Sequence, residues 1–158
     1  MEAKILRNQP AEEIIEVLSV YVKASKELDK TIDLLVEKRA RAIYKSPSLD
    51  SPGGGNRDGL RPDKIADALA NIEPIEQRFN ELANSLPGLY DHVMGILENN
   101  LTNYNQLLIM QWRYINGAKW ETIAERTGFA ISHCYKLHNQ AIIQLMKNNV
   151  LMNEGKTN

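Results

Sequence analysis

The sequence predicts an all-α protein in which a long N-terminal helical hairpin is followed by a C-terminal helix-turn-helix module. Apolar side chains recur at alternating spacings of four and three through Ile14, Leu18, Tyr21, Ser25, Leu28, Ile32, Leu35, Arg39 and Ala42, a helical seam interrupted by two polar residues. A second seam runs through Ile65, Ala68, Ile72, Ile75, Phe79, Leu82 and Leu86. Two matched seams on either side of a breaker-rich segment imply antiparallel partners. The third observation is WETIAERTGFAISHCYKLHNQAIIQL, residues 120–145, where Trp120, Ile123 and Ala124 precede Thr127-Gly128, and Cys134, Leu137, Ala141 and Leu145 follow it. That pattern is a helix, a tight turn and a helix. No stretch alternates with the period of two that a strand requires, and no internal repeat is present.

The first seam predicts one long helix. Pro10 suits its first turn, where a missing donor costs nothing, and Glu12 and Glu13 complement the helix dipole there. It must stop near Tyr44, because SPSLDSPGGGNRDGLRP, with three prolines and four glycines, suits neither helix nor strand. Residues 46–61 are therefore expected to form the longest loop, either a connector or a contact element offering Arg57 and Arg61. In the second seam Pro74 removes one backbone bond and predicts a kink, at about 3 kcal/mol if unrelieved. Pro87-Gly88 predicts a stronger break, followed by a short helix from Leu89 to Leu97 and a boundary at Asn99, Asn100 and Thr102. A helix over 102–115, carrying Tyr104, Leu108, Trp112 and Ile115 on one side, would end at Asn116-Gly117 with a left-handed cap. This divides the chain into an N-terminal hairpin, 1–100, and a helix-turn-helix domain, 101–158.

At 158 residues and 43% hydrophobic content the chain can bury a core. No run approaches the roughly 18 apolar residues of a membrane span, and MEAKILRNQPAEE lacks the order of a signal peptide, so a cytoplasmic protein with no membrane partner is expected. The single cysteine, Cys134, excludes an internal disulfide and fits a reducing compartment. The near-zero net charge hides an asymmetry. Residues 1–100 hold 13 Lys/Arg and 17 Asp/Glu, whereas 101–158 hold 6 and 3, so the last third is mildly basic.

Enzyme chemistry is not expected. No nucleophile, base and acid stand at a recognisable spacing, and the glycine-rich loop lacks the Gly-Lys-Ser/Thr ending of a phosphate-binding loop. His133, Cys134 and His138 do not complete a metal ligand set, because Cys134 falls on the apolar stripe, so neither metal nor cofactor is expected. His92 reads as a surface or partly packed residue. Asp29, Asp33 and Glu37 beside Lys30 and Lys38 read as a solvated face, and Trp112 and Trp120 as anchors of a small C-terminal core.

With Cys134, Leu137, Ala141 and Leu145 turned inward, Ser132, His133, Tyr135, Lys136, Asn139 and Gln140 are left on the outer face of the second helix of the pair. In a DNA-reading pair that helix enters the major groove. Asn139 or Gln140 could pair bidentately with adenine, and Lys136, Ser132 and Tyr135 could reach phosphates or a guanine edge.

The stretch RYINGAKWETIAERTGFAISHCYKLHNQAI resembles region four of bacterial sigma factors through Arg113, Tyr114, Gly117, Glu121, Ile123, Ala124, Glu125, Gly128, Ala141 and Ile142. The wider layout, with Ser46, Pro47, Asp50 and Gly53 to Gly55 between two long helices, resembles small phage and prophage transcriptional regulators of late genes, the ArpU-like and RinA-like proteins. The resemblance implies sequence-specific double-stranded DNA binding, regulation of phage or prophage genes and contact with RNA polymerase. It also places the start of the first helix near the DNA backbone, with Lys119, Arg126 and Thr127 near phosphates. Lys119 and Ala130 stand where that family usually has Ser, so each helix loses a side-chain cap worth about 1 kcal/mol. The Lys119 ammonium could meet a phosphate instead, and Ser132 offers a weaker local bond in place of Ala130.

A net of plus three over the last third is a thin electrostatic footprint, so a lone monomer should bind weakly. The N-terminal seams offer apolar surface for a homodimer, and the same seams could be satisfied within one chain. Two other classes share these features. One is a DNA-packaging protein resembling a terminase small subunit, which would form ring-shaped oligomers with little promoter preference. The other is a helical protein-interaction module.

Overall fold

The computed structural model describes residues 2–44 and 62–153, with side chains described for 10–44 and 66–151; the expected loop 46–61 lies outside the described residues. All the described regular structure is helical: α1 (Glu2–Leu18), α2 (Val20–Tyr44), α3 (Pro62–Asn100), α4 (Tyr104–Tyr114), α5 (Trp120–Thr127), α6 (Ile131–Lys147) and α7 (Val150–Asn153). The chain packs as two compact units. One comprises residues 1–24 and 86–158, the other residues 25–85.

The first seam is therefore two helices. Ser19 separates them: its hydroxyl donates to the Ile15 carbonyl at 2.5 Å, while its N–H is shared between Ile15 and Glu16. A serine bonding back to the preceding turn competes with the helix ladder and bends it. Lys23 N–H still reaches the Ser19 carbonyl at 3.0 Å, so the interruption is a single residue.

The second seam deviates in the opposite sense. One helix of 39 residues passes through both Pro74 and Pro87-Gly88, where a break and a separate short helix were expected. Pro87 deprives the ladder of one donor, but Val93 and Leu97 beyond it are fully buried. Burying two such side chains is worth about 3–6 kcal/mol, enough to carry the helix past a local defect of about 3.

In the unit formed by residues 25–85, α2 and α3 lie as a hairpin with Thr31, Leu35, Ile72 and Leu82 buried. Thr31 takes the inner position expected of Ile32, which is 38% exposed. The Thr31 hydroxyl can go inside because it donates to the Glu27 carbonyl at 2.8 Å. Arg78 donates from Nε and from a terminal guanidinium nitrogen to Glu27, at 2.9 and 2.5 Å, and Arg39 pairs with Glu76. These half-exposed pairs set the register of the two helices more than they stabilise it. Glu27 holds the Arg78 guanidinium above its ordinary pKa by hydrogen bond and charge.

The unit formed by residues 1–24 and 86–158 holds the main core. Ile14 and Leu18 of α1, Val93 and Leu97 of α3, Leu101 just beyond it, Met110 and Tyr114 of α4, Ala141, Ile142 and Leu145 of α6, and Val150 of α7 pack together. A second cluster of Ile109, Ile123, Cys134 and Leu137 fills the space among α4, α5 and α6, with Trp112, Trp120, Ala124 and Phe129 against it. The expected division at residue 100 does not follow the packing, because α1 and the end of α3 supply part of the core on which the last helices sit.

Helix α4 begins two residues later than expected, at Tyr104. Asn103 caps it, its side-chain oxygen accepting from Asn105 N–H at 3.0 Å and Gln106 N–H at 3.2 Å. Its inner face is Ile109, Met110 and Tyr114, with Tyr104 73% exposed. The expected stripe of Tyr104, Leu108, Trp112 and Ile115 misses this because α4 is buried on two sides, by one cluster through Met110 and Tyr114 and by the other through Ile109. The left-handed residue past its end is Gly117, with φ of 64°.

Candidate nucleic-acid interface

Helix α5 ends where Gly128 takes the left-handed conformation, φ 74° and ψ 9°, with its N–H donating to the Ala124 carbonyl. Nothing lies within 4 Å of the position a Cβ would occupy there. The Gly128→Ala variant should therefore lose only what the backbone demands, about 1–2 kcal/mol, visible as a lowered denaturant midpoint. A loss above that range would mean that the turn is held by contacts the glycine does not reveal.

Thr127, expected near phosphates, is committed to this turn. Its hydroxyl donates its one proton to the Ile123 carbonyl at 2.7 Å and accepts from Phe129 N–H at 3.4 Å. No donor is left for a phosphate oxygen. Lys119 and Arg126 are both exposed, Lys119 at the start of α5 and Arg126 in its last turn.

Neither Lys119 nor Ala130 caps its helix, and Ser132 makes no bond that replaces the missing one. Ala130 already has the extended backbone of a capping residue, φ −62° and ψ 145°. Ala130→Ser should therefore stabilise the protein by about 1 kcal/mol, read as a raised thermal midpoint. An unchanged or lowered midpoint would show that the α6 N-terminus is already satisfied.

The inner stripe of α6 is Cys134, Leu137, Ala141 and Leu145 as expected, widened by His138 and Ile142. Ser132, His133, Tyr135, Lys136, Asn139 and Gln140 are all exposed, so the six residues selected for the groove share the outer face. They are not equally free. Tyr135 lies against Trp120 with ring centroids 4.5 Å apart, and His133 meets Phe129 edge-on at 5.1 Å. Gln140 accepts from Gln106 of α4 at 3.5 Å, and Asn139 faces His138 at 3.4 Å. Lys136 and Ser132 have no side-chain partner among the described residues.

Three residues support this surface in roles that the sequence does not display. Arg113 donates to the Ala118 carbonyl at 2.9 Å and lies over Trp120, 4.9 Å from the ring centroid, bracing the entry to α5. Gln106 reaches the outer face from α4. His138, next to two polar surface positions, is buried, with Nε2 2.8 Å from the Tyr114 hydroxyl. No helical period distinguishes a buried histidine with a partner from an exposed one, but the Tyr114 and His138 pair could have been sought as a buried polar couple.

Burial pushes the Tyr114 hydroxyl up to about 12 and pushes the His138 imidazole below its ordinary value, so both are neutral near pH 7. For His138 the folded pKa is depressed below 6.5, so the unfolded chain takes up the proton first and stability falls as pH drops below about 6.5. For Tyr114 the folded pKa is raised, so stability on the order of 2 kcal/mol is present below pH 10 and lost as pH rises from 10 to about 12. Denaturation across this range should show a plateau bounded by both slopes. Tyr114→Phe should remove the alkaline one, and its survival would assign that slope to another group.

His133, Cys134 and His138 do not converge: one is outside against Phe129, and two are buried. Among the described residues no group of three His, Cys, Asp or Glu is placed to hold a metal ion, and no helix is long and apolar enough to cross a membrane. His92 is exposed on α3. Searches against protein-family models, curated proteins and solved structures found no match to the chain.

Proposed function

We propose that this chain binds double-stranded DNA by placing the outer face of α6 in the major groove, and that it regulates transcription of phage or prophage genes. The observation that carries the reading is that outer face: six polar side chains on one exposed side of a helix whose other side is locked into the core. Two exposed cations near the helix pair, Lys119 and Arg126, join Lys136 as phosphate contacts. The likeness of residues 113–142 to sigma region four supports RNA polymerase as a second partner that holds a weak reader at its site. A homodimer would double the phosphate contacts and serve the same end.

The test is selection of genomic fragments by the purified chain at stated salt, followed by titration of the recovered duplex. Three phosphate contacts predict a log-log salt slope of about −3 for a monomer, and Lys136→Ala should reduce its magnitude by about 1. Absence of salt-dependent binding, or variants of Lys136 and Asn139 with unaltered affinity and preference, would remove groove reading.

A second reading has one observation in its favour. Ile131, Tyr135 and Ile143 are 41%, 43% and 51% exposed on α6, so a helical interaction module could use the same helix. Binding to RNA polymerase that persists without DNA and survives Lys136→Ala would favour it.

A further inference from the structure

We infer that His138, held from behind by Tyr114, is a positioning residue that orients the Asn139 carboxamide toward adenine, so that Asn139 rather than Gln140 sets base preference. The inference rests on the DNA-binding reading above and adds which residue reads and what aims it.

The His138 ring has little freedom. It lies nearly parallel to Tyr114, with centroids 5.8 Å apart and planes at 24°, and Trp120 meets it edge-on at 5.2 Å. Its Nε2 is 2.8 Å from the Tyr114 hydroxyl. A buried hydroxyl proton needs an acceptor, and Nε2 of the neutral imidazole is one, which leaves the ring proton on Nδ1. That Nδ1–H faces the Asn139 Oδ1 at 3.4 Å.

The contact is long, so its effect is orientation more than energy. Turning the carboxamide over would set the Nδ2 hydrogens against Nδ1–H, donor against donor. With Oδ1 toward His138, one oxygen lone pair and both Nδ2 hydrogens remain. Adenine presents in the major groove one donor, N6–H, beside one acceptor, N7, and a carboxamide held in one orientation meets both. Gln140 has a carboxamide too, but its partner Gln106 is a flexible side chain in an exposed bond at 3.5 Å, and Gln140 carries one more rotatable bond. The fixed amide is the one backed by the core.

The probe is the full chain with a duplex recovered from a randomised pool, and the same duplex with each A·T pair replaced in turn by G·C. Wild type should discriminate at one A·T position by roughly ten-fold or more. His138→Gln keeps an acceptor for Tyr114 and removes the group at Nδ1. It should bring that discrimination below about three-fold while leaving the salt slope unchanged. His138→Asn restores a donor near the Nδ1 position and should restore the preference. Asn139→Ala should abolish it, with no further loss on adding His138→Gln, and Gln140→Ala should leave it in place.

Unaltered discrimination in His138→Gln overturns the inference, as does a uniform loss of affinity for every duplex. If His138→Gln does not fold, Asn139→Ala and Gln140→Ala decide the matter, and loss of preference in the second alone overturns it. A wild-type chain that selects no duplex overturns the DNA-binding reading itself, an outcome separate from binding without a role for His138.

Discussion

A fragment comprising residues 101–158 is expected to be largely unfolded, although it contains the whole helix-turn-helix. Its core in the intact chain includes Ile14, Leu18, Val93 and Leu97, exposed by 2% or less, all of which the fragment lacks. Four such side chains contribute about 6–12 kcal/mol of burial, comparable with the entire stability of an ordinary domain. Circular dichroism of the fragment should show much less helix than its share of the intact protein, and the fluorescence of Trp112 and Trp120 should report solvent exposure. In the full chain, Leu18→Ala should cost about 2–5 kcal/mol, read from the denaturant midpoint, with the tryptophans melting in the same transition. A fragment that unfolds cooperatively, or a Leu18→Ala protein whose tryptophan signal is undisturbed, would show that the C-terminal helices hold themselves together.

The second large effect is expected at Trp120. The indole stands at the first residue of α5 and touches three residues of two other helices: Arg113 of α4 over its ring, Tyr135 of α6 beside it, and the buried His138 of α6 in an edge contact. Trp120→Ala opens a space bounded by all three and should cost about 3 kcal/mol. It should also weaken the proposed DNA binding beyond what instability explains, because Tyr135 loses the surface that holds its ring on the outer face of α6. Trp120→Phe keeps an aromatic surface and should recover much of both losses. Thermal melts and duplex titration below the melting range separate the two effects. A loss under about 1 kcal/mol for Trp120→Ala would mean that the indole only covers the junction.

Much of the fold was legible because helical period and breakers are local. The inner stripe of α6, the left-handed glycines at 117 and 128 and the antiparallel seams follow from spacing and from residue types with narrow backbone preferences. Pro87 was read as a break because its missing hydrogen bond is visible in sequence, while the burial of Val93 and Leu97 that offsets it is not. The spacing from Ile14 to Ala42 predicts one helix, and the geometry of the Ser19 bond to Ile15 shows why α1 ends at Leu18.

The same division holds for the candidate interface. Which α6 residues could face outward was set by the positions of Cys134, Leu137, Ala141 and Leu145 along the chain, since one turn of helix determines the next. Which of those outward residues are held, and by what, depended on partners distant in sequence: Trp120 beside Tyr135, Gln106 beside Gln140, and Tyr114 behind His138 and Asn139. Sequence alone thus determined the all-helical class, the apolar face of α6 and the turn at Gly128, because these arise from interactions within a few residues. Tertiary structure decided that α1 and the end of α3 belong to the core beneath the helix pair, that Ile109, Met110 and Tyr114 form the inner face of α4, and that His138 is inside, because burial and long-range hydrogen-bond partners exist only once distant segments meet.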